Sequence, residues 1–302
     1  MKRRAATGVG FIAILLWSSL AALTALSGDV PPIQLVAISF AIASLIGLIF
    51  AHQSKEGLSV LIRIPLTAWA LGTSGLFGYH FFYFLALRSA PAVEANLINY
   101  LWPLLIVLFS ALLPRVSGDG GLRWWHLCGA ALGLLGTALI VSSSAGASTT
   151  SSSSTHWIGY GSALAAALIW SAYSVLNQRF AHIPSTAVAG FCMATAFLAL
   201  IAHLLFETTV WPATPLEWLA TLGMGFGPVG AAFYVWDHGT KHGDIRILGA
   251  TSYAIPLFST ALLIALGVAQ ATPTLWLACA LITGGAVLAA KEMLFPSHRS
   301  RS

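Results

Sequence analysis

Residues 98–103 read INYLWP, and residues 251–256 read TSYAIP. The second stretch stands 153 positions after the first, so Asn99 meets Ser252, Tyr100 meets Tyr253 and Pro103 meets Pro256. INYLWP lies inside an apolar run, Ala92 to Leu113, that carries no charge past Glu94. A polar and helix-breaking stretch at such a place, present twice at one spacing, calls for a fold that uses it twice.

The same offset of 153 aligns much of the chain. Gly8 meets Gly161, Trp17-Ser18 meets Trp170-Ser171, Pro31 meets Pro184 and Gly72 meets Gly225. Toward the end of each copy, Trp125, Cys128 and Gly133 correspond to Trp276, Cys279 and Gly284 after a small shift. The chain is therefore a duplication: a first repeat over 1–143, a linker over 144–156 and a second repeat with a tail over 157–302. The linker is Ser-rich and uncharged, which gives a flexible connection.

Each copy holds five apolar segments of helix length. They fall at about 6–27, 30–51, 66–88, 91–113 and 123–143, then at about 157–180, 184–206, 215–239, 245–268 and 272–294. About 20 residues of helix cross a bilayer core. Hydrophobic residues make up 58% of the chain and charged residues 8%, and the mean hydropathy is +0.85, far from a soluble composition. The expected fold is an all-α membrane protein of ten transmembrane helices. Because five is odd, the second copy starts on the opposite side from the first, so the two repeats are inverted. Such repeats characterise secondary transporters, with the substrate site near the midplane between them.

Charge sets the orientation. With the N-terminus inside, Lys2, Arg3, Arg4, Lys55, Arg63, Arg115, Arg123, Arg179, Lys241, Arg246, Lys291, Arg299 and Arg301 are cytoplasmic, and Arg88 alone of the Lys and Arg is not. Both termini are thereby expected in the cytoplasm and the Ser-rich linker in the periplasm. The net charge of +5 reports topology rather than nucleic-acid binding. The first segment is too long for a signal-peptide core and has a second copy, so it is read as a retained helix. Cys128, Cys192 and Cys279 fall within predicted spans and are read as packing residues.

At mid-depth the sequence gathers aromatic and helix-breaking residues. The first copy offers Trp17, Tyr79, His80 and Tyr83 (within GLFGYHFFYF, 75–84), then Asn99, Tyr100, Trp102 and Pro103. The second offers Trp170 and Tyr173 (IWSAY), Pro228 (GFGPVG), Ser252, Tyr253 and Pro256. Proline removes a helical hydrogen bond, so Pro103, Pro228 and Pro256 are expected at bends. A carbonyl freed in hydrocarbon must be covered by protein or a wet cavity. Trp and Tyr usually sit in belts at the membrane interfaces. That suits Trp124, Trp125, Trp157, Trp211, Trp218 and Trp276, whereas Trp17, Trp102 and Trp170 are too deep and need polar partners there. An aromatic cavity with few fixed charges suits a net-neutral small molecule. His80 stands mid-membrane as a structural hydrogen-bond donor, a substrate ligand or a proton carrier. Glu94 is expected to pair with Arg88, and Asp237 with Lys241 four residues on. No metal spacing, nucleotide-binding loop or nucleophile motif occurs, so neither an enzyme nor a cofactor is expected.

These residues resemble a known family. The duplicated five-helix pattern, the Trp of the first and sixth helices and the proline of the fourth resemble the EamA-type exporters of the drug/metabolite transporter superfamily. Within it, INYLWP, ALIWSAYSVLNQRFA (167–181) and GPVGAAFYVWDHGTKHGDIRILGATSYAIPLFSTAL (227–262) are similar to the YddG-type aromatic amino acid exporters. The resemblance runs from about Gly8 to Leu294. It implies a bacterial inner-membrane exporter of aromatic and other neutral amino acids, with lipid around it, monomeric, and with Tyr100, Trp102, Pro103, Trp170, Ser252 and Pro256 lining or shaping a central cavity. A multidrug or other metabolite exporter on the same fold is the alternative, with a channel ranked behind it.

Overall fold

A computed structural model of the chain describes residues 3–54, 57–90, 92–112, 123–143, 156–265, 272–289 and 291. Every regular element among them is helical, as burial in lipid demands: a helix satisfies its own backbone groups. The order is α1 (Arg3–Ser18), α2 (Leu20–Leu26), α3 (Pro32–Gln53), α4 (Ser59–Ile62), α5 (Leu66–Thr73), α6 (Tyr79–Ser89), α7 (Ala92–Asn99), α8 (Trp102–Leu112) and α9 (Trp124–Ser143). It continues with α10 (His156–Leu176), α11 (Val188–Phe206), α12 (Pro215–Phe226), α13 (Ala232–His242), α14 (Ile245–Thr251), α15 (Ala254–Ala265) and α16 (Pro273–Ala289). Five helical runs among the described residues are long and apolar enough to cross a membrane: Arg3–Leu26, Pro32–Gln53, His156–Phe180, Ser185–Phe206 and Pro215–His242. Trp124–Leu139 and Pro273–Gly285 are shorter apolar helices. Linker residues 144–155, Lys2, Lys55, Arg115, Arg299 and Arg301 lie outside the described residues, as does the side chain of Glu94, on which the expected pair with Arg88 rests.

The helices start where the sequence allows a start. Pro32, Pro215 and Pro273 each stand in the first turn of a helix, where a missing N–H costs nothing. Thr214 accepts from the Glu217 amide at 3.3 Å while the Glu217 carboxylate accepts from Ala213 N at 2.7 Å, a reciprocal cap.

Two rods are interrupted rather than ended. A wide π turn, Ser74–Gly78, joins α5 to α6, and a second, Gly227–Ala231, joins α12 to α13. The helix opens again at Tyr100–Leu101, between α7 and α8, and at Ser252–Tyr253, between α14 and α15. The π turns stand at the 153-residue offset from each other, and the helix openings lie within one residue of it. The prolines do not sit at the break itself. Pro103 is the second residue of α8 and Pro256 the third of α15, where no donor is required. Pro228 lies inside its π turn.

Packing pairs α1 with α13, α6 with α10, α3 with α11, α8 with α14 and α9 with α16. The α1–α13 crossing is backbone to backbone: a Cβ on Gly239 would overlap Gly10 Cα, so only glycine permits the approach. Leu45, Ile49, Phe50, Phe197, Leu204 and Leu205 point outward, as a lipid-facing surface requires. Of the interface tryptophans, Trp124, Trp157, Trp211, Trp218 and Trp276 are exposed. The three cysteines are free, Cys192 buried and Cys128 exposed.

Candidate functional site

Four indoles meet at the centre. Trp17 comes from the last turn of α1, Trp102 from the first turn of α8, Trp170 from α10 and Trp236 from α13. The Trp17 ring centroid lies 5.0 Å from that of Trp236, 5.6 Å from Trp170 and 6.3 Å from Trp102. Trp170 stacks on Trp236 at 6.1 Å, and Trp102 lies edge-on to both, at 6.3 and 6.0 Å. Edge-to-face arrangements at these distances suit the ring quadrupoles. Trp236 Nε1 donates to Ser174 Oγ at 3.1 Å, and Ser171 Oγ donates to the Trp102 carbonyl at 2.9 Å.

A phenol ladder adjoins the indoles. Tyr79 and Tyr83, one turn apart on α6, stack at 5.8 Å with rings 5° apart. Asn99 Nδ2 donates to Tyr79 Oη at 3.2 Å, and Tyr83 Oη donates to Asn96 Oδ1 at 2.6 Å. Tyr79 reaches Trp170 at 5.4 Å, and Tyr100 follows Asn99 at the helix opening. Tyr173 lies 5.3 Å from Trp170, its ring laid over Gly75 where no Cβ would fit. The Asn99 Oδ1 atom is buried without a hydrogen-bond donor.

His80 joins the same wall. Its Nδ1 donates to the Leu76 carbonyl at 2.7 Å, which places the proton on Nδ1. Phe40 and Tyr79 each approach its ring edge-on at 5.1 Å, and Phe233 lies 6.0 Å away. An apolar cleft lined by Ile33, Val36, Phe77, Phe81 and Phe84 opens beside it.

Ser252 and Tyr253 face elsewhere. Ser252 Oγ folds back on the Leu248 carbonyl of its own helix at 2.7 Å. The Tyr253 ring packs on Gly133 of α9, with its hydroxyl buried and lacking a side-chain partner. The remaining residues expected from the sequence do come together.

Phe233, Trp236 and Thr240 are contributors that the sequence pattern does not single out. With Asp237 and Lys241 they recur at i, i+3, i+4, i+7 and i+8, one face of α13. Asp237 and Lys241 are not a solvated pair. Their side chains are 0% and 1% exposed, with Nζ 2.9 Å from Oδ2. Asn177 Nδ2 donates to Asp237 Oδ1 at 2.8 Å, and Lys241 Nζ donates to the Ile183 carbonyl at 3.1 Å. The periodicity of α13 was the available signal. Among the described residues no three His, Cys, Asp or Glu gather as metal ligands do.

The sequence pattern of the EamA-like transporter family matches the chain twice, over residues 6–142 and 157–290. The chain belongs to that family. It is a membrane exporter rather than an enzyme, a multi-pass protein of the bacterial inner membrane. It is 51% identical to the aromatic amino acid exporter YddG of Ancylobacter novellus, over 96% of this chain and 98% of that one. It is 28% identical to the aromatic amino acid exporter YddG of Escherichia coli, over 95% and 97%. A solved crystal structure superposes with a TM-score of 0.90 at 49% identity, covering 98% of this chain and all of that one.

Proposed function

We propose that this EamA-family exporter moves aromatic and other neutral amino acids out of the cell by alternating access, around a midplane site at the indole and phenol cluster. The observation that carries the reading is the convergence of Trp17, Trp102, Trp170 and Trp236, with Tyr79 and Tyr83, beside the helix opening at Tyr100–Leu101 and one of the two π turns. Stacked and edge-on rings supply dispersion and quadrupole contacts that favour an aromatic side chain. Trp17, Tyr79, His80, Tyr83, Asn99, Tyr100, Trp102, Trp170 and Tyr173 form its walls, and Ser252 and Tyr253 shape the opening behind them.

The architecture proposed is ten helices in two inverted five-helix repeats, with both termini cytoplasmic. Three observations support it: the double family match, the π turns at one offset, and the pairing of each helix of one half with a helix of the other. The helix openings ahead of Pro103 and Pro256 are the hinges of the rocking motion, with Pro228 in a third flexible turn. One copy suffices, since both halves contribute indoles to the same cluster, and lipid surrounds it.

The test uses purified protein in liposomes loaded with radiolabelled phenylalanine, tyrosine, tryptophan, threonine or lysine. Efflux of the neutral amino acids above protein-free liposomes, with lysine retained, is expected. Lysine leaving as fast as phenylalanine overturns the reading.

A further inference from the structure

An aromatic cluster accounts for a side chain but not for the two charges of an amino acid. Carrying an α-ammonium and an α-carboxylate into a low-dielectric site costs several kcal/mol per ion unless each meets a partner. Asn99 Oδ1 and the tyrosine hydroxyls supply dipoles only. A pair of opposite charges does adjoin the cluster: Asp237 and Lys241, on the face of α13 that also carries Phe233 and Trp236.

Their contacts leave spare capacity. Lys241 has three N–H groups, of which one donates to the Ile183 carbonyl, and its Nζ stands in ion-pair contact with Asp237 Oδ2. Asp237 Oδ1 accepts from Asn177, whereas Oδ2 sits 2.9 Å from Nζ with no aligned hydrogen bond. Asp237 also lies close enough to Tyr173 to act on it electrostatically, and Tyr173 packs on Trp170. Along α13, Phe233 and Asp237 are separated by about 6 Å of rise, the scale of an amino acid measured from ring to charged head. Stability alone is a poor reason for the pair, because a buried ion pair is often no better than well-packed apolar residues.

We infer that Asp237 and Lys241 form the subsite for the zwitterionic head of the substrate, the carboxylate of Asp237 taking the α-ammonium and the ammonium of Lys241 taking the α-carboxylate. The inference rests on the reading of the chain as an exporter of neutral amino acids. On binding, the internal pair opens and the four charges alternate, so each keeps an opposite neighbour and the net charge of the site stays zero. No proton moves. A single-charge ligand breaks the pair and leaves one buried charge uncompensated, which excludes cations and anions of the same shape.

The experiment measures displacement of bound radiolabelled phenylalanine from the purified full-length protein by three ligands. They are phenylalanine itself, 2-phenylethylamine (no carboxylate) and 3-phenylpropionate (no amine). Wild type should favour phenylalanine over either by about tenfold or more, as expected when a buried charge loses its partner. Asp237→Asn should abolish the advantage over 3-phenylpropionate, and Lys241→Met the advantage over 2-phenylethylamine. If both variants weaken all three ligands by one factor and keep the ratios, the pair is structural and the inference falls, while the exporter reading stands. Wild type that binds none of the three removes both. Should the neutralised proteins fail to fold, Asp237→Glu and Lys241→Arg move the charges without removing them. They should shift the preference between phenylalanine and its β-amino homologue, and an unchanged preference overturns the inference.

Discussion

Trp17 and Trp236 lie 5.0 Å apart between ring centroids because the helices that carry them touch backbone to backbone at Gly10 and Gly239. One close crossing sets the depth at which the indoles of two halves meet. Gly239→Val adds three carbons where no Cβ fits, and forcing bulk into a packed interior costs about 1–3 kcal/mol. The thermal unfolding midpoint in detergent should fall, and transport should fall with it as α1 and α13 part. Gly8→Ala is the control: it lies on the partner helix α1, two residues before Gly10, with nothing within 4 Å of its Cβ position, and should leave both unchanged.

His80 holds its Nδ1 proton on the Leu76 carbonyl, and its other nitrogen has no acceptor among the described residues. A charged imidazolium would place a second N–H among Phe40, Tyr79 and Phe233 without a hydrogen-bond partner. The arrangement fits the structural role among the three that the sequence left open. His80→Gln, which can still reach a backbone carbonyl, should retain most of the transport rate. It should also leave the shape of the rate-against-pH curve between pH 6 and 8 as in wild type. A curve that loses an inflection in the variant would assign His80 a proton-carrying role instead.

The repeat and the deep aromatic set were legible because both are matters of residue type at fixed spacing. Trp17 and Trp170 occupy matched places and do meet. Orientation was not legible. Tyr253 matches Tyr100 by offset, yet its ring turns to Gly133. Each residue adds about 100° of rotation, and a helix opening beside the residue resets that angle. The bends were expected at the prolines and lie just ahead of them at Tyr100–Leu101 and Ser252–Tyr253, since a first turn asks no donor of Pro103 or Pro256. The π turns have no signature beyond local Gly and Pro. The spacing of Asp237 and Lys241 reads as an ordinary i,i+4 pair, since that spacing is common on solvated faces. Only the apolar company of Phe233 and Trp236 on the same face marks it as internal.

Asp244 closes the end of the molecule at which α1 begins and α14 starts. Its Oδ2 lies 2.8 Å from Arg3 and its Oδ1 caps the Arg246 amide at 3.1 Å, while its own amide donates to Thr7 at 2.9 Å. Burial alone would raise its pKa, but the Arg246 and Arg3 guanidinium groups outweigh that and hold the carboxyl below its ordinary 3.8. A depressed carboxylate pKa stabilises the fold above the unfolded value, and the contribution is lost as pH falls through the folded value. Asp244→Asn keeps the cap geometry and removes the charge. The gap in unfolding midpoint between wild type and variant should therefore stay constant from pH 7 to 5 and close only below about pH 4. A gap that closes near pH 6 would point to a histidine instead.

Glu207, just past the end of α11, caps the start of α3: its two oxygens accept from the Ile33 and Gln34 amides at 3.1 and 3.0 Å. His203 lies 3.0 Å from the same carboxylate and reaches Thr209 with its other nitrogen at 2.8 Å. Gln34 completes the joint through its side-chain amide, which exchanges two hydrogen bonds with the Val210 backbone at 2.9 and 3.0 Å. A carboxylate on the N-terminal amides of a helix satisfies donors that the helix cannot and complements its dipole. Glu207→Ala should cost about 1–2 kcal/mol, the range of a lost cap, whereas Glu207→Gln, with one acceptor oxygen, should cost less. Hydrogen exchange locates the effect: the Ile33 and Gln34 amides should lose protection in Glu207→Ala while those in the middle of α3 keep theirs. Uniform loss along α3 would mean that Glu207 holds the whole α3–α11 pair together, a larger role than a cap.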